Sequence, residues 1–246
     1  LSLGNSFPNS IFSLPAAAAS LPSLNAETIP HGLLQTQTYH GDEVTATSGE
    51  QWWGLFMTTD GFELLQTTIT INTVRDMILD SEEGEFTGKE VVTDREAPSV
   101  FLVKDLNFLE SGGVKTVFSG SATIPSSVPQ ANGPLSLSLI FDAVEELKNP
   151  VEYRFSLTDT TEAEVTQTIL TFSEDGNSQQ YQLENCCDWT STKLLWAGDL
   201  DRDGRLDFLI DTATHYNVSE PTLFLSSPAQ AGEIVRPVAR MRSDGG

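Results

Sequence analysis

Apolar and polar residues alternate along several segments of this chain, and this spacing limits the choice of fold more than any other pattern in it. The alternation is clear over residues 67–73 and 135–141, and it returns over residues 153–157 and 165–172. Successive side chains of a strand point to opposite faces of a sheet, so a half-buried antiparallel strand gives this period of two. We therefore predict an all-β protein with mainly antiparallel sheets, arranged as a sandwich or as two β lobes.

One segment, residues 141–147, carries a helical pattern instead. Its apolar residues would make two helical turns before Asn149 and Pro150 stop them. Two turns are too short to be stable without tertiary packing, so this helix is a weak prediction and leaves the fold class unchanged.

Composition divides the chain into three parts. Residues 1–30 are rich in Ser, Ala, Asn and Pro, which is typical of a flexible linker or of the segment left after signal cleavage. Residues 119–134 are rich in Pro, Gly and Ser and are expected to form a loop between two lobes. We therefore predict a flexible segment over residues 1–30, an N-terminal β lobe over 31–120 and a C-terminal β lobe over 121–246.

The chain is strongly acidic. It has 13 Lys and Arg residues against 35 Asp and Glu residues, which gives a net charge of −22. Nucleic acids and anionic membrane surfaces are polyanions, so neither is expected as a partner. No apolar run approaches the roughly 18–20 residues that cross a bilayer, so no transmembrane segment is predicted. The charge favours cations and basic proteins, and it also permits uncharged glycans.

The two cysteines, Cys186 and Cys187, are adjacent. Neighbouring Cα atoms lie about 3.8 Å apart, whereas a disulfide prefers roughly 4.4–6.8 Å. Two free thiols and a strained vicinal disulfide both remain open. A zinc site is not expected, because no CxxC pair or nearby histidine completes a set of four ligands.

Residues 199–207 have the spacing of a calcium loop, DxDxDGxxD. Calcium binds about six to eight oxygen atoms in a flexible cage. Carboxylates at positions 1, 3 and 5 of a tight loop converge on one point, and Gly204 at position 6 permits the sharp turn. The predicted Ca²⁺ ligands are the side chains of Asp199, Asp201, Asp203 and Asp207 and the backbone carbonyl of Arg205.

This loop differs from an EF-hand. Position 12 is Ile210, where an EF-hand needs a bidentate Glu, and the flanking apolar runs are short and suited to strands. We therefore predict a strand–loop–strand hairpin in the C-terminal lobe. A solvated Asp-rich turn is the alternative. Magnesium is a weaker candidate because it keeps several waters and avoids all-protein cages.

Residues 196–209, Trp-Ala-Gly-Asp-Leu-Asp-Arg-Asp-Gly-Arg-Leu-Asp-Phe-Leu, resemble the calcium loop of FG-GAP/VCBS-type repeats, which occur in integrin α-chain propellers and in many secreted bacterial proteins. Residues 222–227 are similar to the next strand of such a repeat, and the resemblance covers about residues 194–235. It implies the same ligands, including the Arg205 carbonyl. A propeller needs several blades, whereas this motif occurs once, so the resemblance implies the metal loop and not the propeller.

Few other residues indicate chemistry. The sequence has no GxSxG, HExxH, P-loop or dinucleotide-binding glycine pattern. Trp52, Trp53 and Trp189 could form a surface that stacks on sugars, although aromatic residues of β proteins more often fill cores. His215, in a Thr- and Asn-rich segment, is expected to be a hydrogen-bonded structural residue.

These observations favour an exported protein, secreted or periplasmic, that binds calcium and acts as a binding or structural module for a protein or glycan ligand. The alternative is an extracellular glycan-directed hydrolase with a structural calcium ion. Such an enzyme would need a cleft with two carboxylates about 5–9.5 Å apart. No catalytic residue is predicted.

Overall fold

The computed structural model describes residues 21–24, 29–81, 83–127, 136–141, 150–162, 165–183, 192–213 and 215–244, with the backbone alone for 126–127, 160–162 and 165–167. This part of the chain is all-β and mainly antiparallel, and it contains no helix. The fold-class prediction is therefore confirmed. The strands are β1 (His31–Leu34), β2 (Thr38–Tyr39), β3 (Gln51–Thr58), β4 (Gly61–Val74), β5 (Gly88–Thr93), β6 (Ser99–Val103), β7 (Gly112–Thr123), β8 (Ser126–Ser127), β9 (Leu137–Phe141), β10 (Val151–Glu162), β11 (Val165–Glu174), β12 (Asn177–Gln182), β13 (Lys193–Asp199), β14 (Asp207–Asp211), β15 (Val218–Ser219), β16 (Pro221–Leu225), β17 (Arg236–Arg240) and β18 (Ser243–Asp244).

The larger sheet closes on itself. Its strand order is β2-β5-β4-β3-β6-β1-β17-β16-β14-β13-β7, and a further pairing of β7 with β4 closes the strands from β4 to β7 in this order into a ring. Strand β4 is long enough to pair with β7 near its start and with β5 near its end. Strands β5 and β2 therefore extend the sheet beyond the ring. Within this sheet the β1–β17 pair is parallel. A closed sheet leaves few edges open to pairing with other chains.

A smaller, five-stranded sheet packs on the outside of the ring. Its order is β12-β11-β10-β8, with β9 also pairing with β10. Residues 159–162 belong to the long β10–β11 hairpin, in which Glu162 pairs with Val165. Tyr153, Phe155 and Leu157 of β10 are buried, as their alternation predicts.

Strands β13, β14 and β16 lie between two cores. On β14, Leu209 faces the interior of the ring, whereas Phe208 and Ile210 face the smaller sheet. On β16, Leu223 belongs to the first core, which is the core inside the ring, and Phe224 belongs to the second core, which lies between the ring and the smaller sheet. These strands are apolar on both faces, which explains why their sequences are continuous apolar runs without the alternation seen in β10.

The two-lobe division does not match the strand pairing. The predicted boundary between residues 120 and 121 falls inside β7, which pairs along most of its length with β13. Strands from both predicted lobes therefore share one closed sheet, because the apolar faces of the later strands complete the core begun by the earlier ones.

Part of the N-terminal segment is held in place. Leu24 donates its backbone N–H to the carbonyl of Gln182, and its side chain is 1% exposed in the second core. Flexibility over residues 1–30 is therefore wrong for residues 22–24, because burial of Leu24 fixes them against β12. Most of that segment, the predicted helix beyond Phe141 and both cysteines lie outside the described residues.

The described residues form no helix that is long and apolar enough to cross a membrane.

Candidate metal centre

The aspartate loop joins two adjacent strands. Strand β13 ends at Asp199 and β14 begins at Asp207, and the two strands pair antiparallel with Gly198 opposite Asp207. This is the predicted strand–loop–strand hairpin. Leu200 and Leu206, just inside the two ends of the loop, are both fully buried, the first in the ring core and the second between the sheets. The loop is thus fixed at both ends by apolar contacts with different cores.

The backbone of the loop turns sharply at two residues. Gly204 has φ +84°, in the left-handed region that glycine adopts without penalty. Arg202 also has a positive φ, +63°, which is unfavourable for a residue with a side chain. Its guanidinium donates to the carbonyls of Glu110 and Ser111, just before β7, and these hydrogen bonds help to hold the turn.

Three carboxylates meet inside the loop. Asp199, Asp201 and Asp207 each place a carboxylate oxygen within 4.8 Å of the other two, with Asp199 and Asp207 buried and Asp201 half-buried. Carboxylate oxygens are the hard ligands that cations such as calcium and magnesium prefer. This group could therefore hold a metal ion.

One oxygen of the group has no partner. The Oδ2 atom of Asp199 accepts a hydrogen bond from the Gly204 N–H at 3.1 Å, whereas its Oδ1 atom is buried and accepts none among the described residues. By contrast, Asp207 accepts the backbone N–H of Leu200 at 2.7 Å and that of Ser226 at 2.8 Å. Buried oxygens without a partner are rare in proteins, so the Asp199 oxygen is a candidate ligand atom for a cation.

Asp203 lies beside this group of three and is not part of it. Its Oδ2 atom accepts the Ser226 hydroxyl at 2.8 Å, and its Oδ1 atom accepts the Arg205 N–H at 2.8 Å. The Ser226 hydroxyl is also 3.1 Å from Asp207 Oδ1. A hydroxyl has one hydrogen to donate, so it serves one of these two carboxylates at a time.

Arg205 connects the loop to the smaller sheet through its side chain. Its guanidinium donates to Glu174 at 2.9 Å and to the carbonyl of Ile234 at 3.0 Å. The Tyr153 hydroxyl donates to the other oxygen of Glu174 at 2.7 Å. The predicted role of the Arg205 carbonyl as a ligand stays a prediction.

Without a cation, the loop disfavours its own negative charge. Burial raises the pKa of Asp199 to about 6, and the charges of Asp203 and Asp201 add to this effect. Burial is also the main cause that raises the pKa of Asp201, and it raises the pKa of Asp207 well above its usual range. A bound cation would reverse these shifts, because it stabilises the ionised carboxylates.

The two serines at the centre were not predicted as site residues. Ser226 and Ser227 directly follow β16, and Ser227 donates its hydroxyl to Asp201. They reach the loop because β16 pairs antiparallel with β14. The sequence signal that exists, two serines at the end of an apolar strand, does not reveal which loop they will meet.

The other aromatic and histidine residues considered as candidates, where the structure describes them, pack against the core or against a neighbouring ring. Trp52 is 5% exposed and belongs to the ring core, and the partly buried Trp53 packs against that core. His215 stacks on the Tyr216 ring at 4.8 Å between centroids. Trp189 lies outside the described residues.

Comparison of the chain with protein-family models, curated proteins and solved structures found no match. The resemblance to FG-GAP/VCBS-type repeats therefore stays a prediction.

Ser226→Ala is expected to weaken metal binding by about 10- to 100-fold, the usual effect of removing a group that orients metal ligands. The reason is that its hydroxyl contacts both Asp203 and Asp207. Calcium titration of both proteins by calorimetry measures this effect. Ser121→Ala is the control, since Ser121 is an exposed serine of β7. Equal affinities in the two variants would contradict the prediction.

Proposed function

We propose that the loop at residues 199–207 binds one calcium ion, and that the ion stabilises an exported β-rich protein acting as a binding or structural module. The observation that carries the proposal is the buried, unpartnered Oδ1 atom of Asp199, which lies in a group of three carboxylates within 4.8 Å of one another. Four aspartates in nine residues repel one another when ionised. A bound cation supplies the counter-charge that hydrogen bonds alone cannot give.

The donor set favours calcium over other metals. The group offers oxygen ligands alone, whereas structural zinc sites use Cys and His. Asp203 and the Arg205 carbonyl are close enough in sequence to complete a flexible cage of about six to eight oxygens. Magnesium keeps several waters and demands stricter octahedral geometry, so a loop with this many protein oxygens suits calcium better.

The loop's contacts support a structural role for the ion. Leu200 and Leu206 anchor the loop in the two cores, Arg202 connects it to the residues before β7, and Arg205 connects it to the smaller sheet. A cation that draws the carboxylates together would therefore stabilise the loop where the ring and the smaller sheet meet. The ligand of the module and its export remain parts of the proposal that rest on the sequence.

Equilibrium dialysis with calcium tests the proposal directly. We expect one ion per chain with a dissociation constant on the order of 0.1–1 mM, typical of extracellular modules. Magnesium under the same conditions is expected to bind more weakly. The proposal is wrong if calcium at about 10 mM, well above that range, leaves the site empty.

Calcium affinity should fall as the pH is lowered from 7.5 to 5. In the metal-free protein the pKa of Asp199 is raised to about 6, so below this pH the carboxylate holds a proton that the ion must displace. Each displaced proton weakens apparent affinity by about tenfold per pH unit. Calorimetry in buffers of different ionisation enthalpy measures both affinity and proton release. A constant affinity across this pH range would contradict the assignment of Asp199 as a ligand.

A further inference from the structure

A cavity lies away from the metal loop. It has a volume of about 500 Å³ and lies between β2, the residues that follow β4, and the β15–β18 pair. Its walls include Tyr39, His40, Arg75, Met77, Ile78 and Ser243. Cavities of roughly 300–1,000 Å³ are the size that small ligands occupy in proteins.

Arg75 is a cation of this cavity without a partner in the part of the chain that the structure describes. Among the described residues, its side chain makes no hydrogen bond or ion pair, and its Nε atom is buried. Each other arginine has a hydrogen bond or ion pair in this part of the chain; these are Arg95, Arg154, Arg202, Arg205, Arg236, Arg240 and Arg242. A buried donor without an acceptor is costly, and a chain of net charge −22 has many carboxylates to offer. Within the described residues the guanidinium is therefore available to an acceptor that enters the cavity.

Two carboxylates that line the cavity already have donors. Asp76 accepts the N–H groups of Ile78 and Leu79 at 2.9 and 3.1 Å, and its other oxygen lies 2.5 Å from His40 Nδ1. Glu43 accepts the N–H of His40 at 3.0 Å and that of Asp244 at 2.5 Å. Both carboxylates therefore accept hydrogen bonds from donors other than Arg75.

The wall next to Arg75 is apolar and exposed. Met77 is 80% exposed and Ile78 is 59% exposed, although both are large hydrophobic residues. The segment is held in this position by Asp80, whose Oδ2 atom accepts the Asp76 N–H at 2.7 Å and the Thr87 N–H at 2.9 Å. Adjacent exposed apolar side chains are typical of surfaces that bind other molecules, and here they line the cavity.

We propose that this cavity binds an apolar carboxylate, with the carboxylate on Arg75 and the apolar part against Met77 and Ile78. A guanidinium matches a carboxylate with two parallel hydrogen bonds. A monoanion suits the site better than a phosphate dianion, since Glu43, Asp76 and Asp244 also line the cavity and repel a larger negative charge. A free carboxylic acid with an alkyl chain and the C-terminus of a peptide that ends in an apolar residue share this chemistry.

Calorimetric titration with octanoate, octanol and acetate tests the proposal. Octanoate is expected to bind saturably, and octanol and acetate at least about tenfold more weakly, because each lacks one of the two contacts. Arg75→Gln and Met77→Ser should each weaken octanoate binding, the first by about tenfold or more. Arg95→Gln is the matched control, since Arg95 is an exposed arginine elsewhere, and it should bind octanoate as the unchanged protein does.

Three results would overturn the proposal. One is octanol binding as tightly as octanoate, which would leave Arg75 without a role. Another is an equal loss in Arg75→Gln and Arg95→Gln, which would indicate a general charge effect. The third is no octanoate binding at about 10 mM, a concentration that detects even weak sites. Thermal melts check that Arg75→Gln is folded, and Met77→Ser tests the site without changing its charge.

A peptide arm identifies the source of the carboxylate. The tetrapeptide Ala-Ala-Leu-Leu is titrated with a free and with an amidated C-terminus. If the free form binds more tightly than octanoate and the amide does not, the natural ligand is a peptide terminus. If octanoate binds more tightly than the free peptide, the ligand is a small carboxylic acid. Peptide binding that does not depend on the free terminus would contradict the proposed contact with Arg75.

Discussion

Calcium at about 100 times its dissociation constant is expected to raise the melting temperature of the protein by about 5–11 °C. An unfolded chain cannot hold the carboxylates of residues 199–207 in one place, so the ion binds the folded state alone. Mass action then adds about 2.7 kcal/mol to the free energy of unfolding. For a chain of this length each kcal/mol corresponds to about 2–4 °C. Thermal melts in calcium, magnesium and chelator measure the effect.

Asp199→Asn should remove most of this rise and should also stabilise the metal-free protein above pH 6. The pKa of Asp199 is raised in the folded state, to about 6, so its ionised form opposes folding at higher pH. The amide keeps the shape of the side chain and removes that charge. Asp60→Asn, in the exposed turn between β3 and β4, is the control and should keep the full calcium rise.

Two comparisons make the result decisive. Identical melting curves in calcium, magnesium and chelator would exclude the calcium site. Asp203→Ala tests whether Asp203 is a ligand. The sequence motif counts it as one, whereas in the structure the Asp203 carboxylate accepts hydrogen bonds from Ser226 and from the Arg205 N–H. If Asp203 only orients the site, this variant should lose less of the calcium rise than Asp199→Asn does.

The parts of the structure that the sequence predicts well are those that depend on neighbouring residues. The alternation of Tyr153, Phe155 and Leu157 predicts a strand with one buried face, and all three are buried. The hairpin at residues 199–207 is also local, since its strands and its turn at Gly204 lie within one short segment. Period and turn chemistry are sufficient for such features.

The features of the structure that the sequence does not predict depend mainly on contacts between segments that are distant in sequence. Composition places a lobe boundary in β7, but the pairing of β7 with β13 and of β1 with β17 joins both halves of the chain into one sheet. Neither pairing has a local signal, because many strands of similar polarity could pair. Ser226 differs, because β14 and β16 are near in sequence; its contact with the aspartates depends on the register of that pairing.

Phe208→Ala is expected to lower the free energy of unfolding by about 3–5 kcal/mol, the usual cost of removing a buried aromatic ring. Phe208 is fully buried between the sheets, with its ring centroid 5.0 Å from that of Phe155 and 5.6 Å from that of Tyr153. In chelator the melting temperature should fall by about 6–20 °C. Phe108→Ala is the matched control, because Phe108 is 51% exposed and its loss should change stability by about 0.5 kcal/mol or less.

The calcium rise should survive in Phe208→Ala, provided that the variant still folds. Asp207 directly precedes Phe208, but its carboxylate is held by the N–H groups of Leu200 and Ser226 and not by the ring. Chemical denaturation of the variant with and without calcium separates the two contributions. Equal losses in Phe208→Ala and Phe108→Ala would show that the contact between the ring and the smaller sheet adds little. Loss of the calcium rise in a folded Phe208→Ala would instead show that packing of the smaller sheet positions the metal ligands.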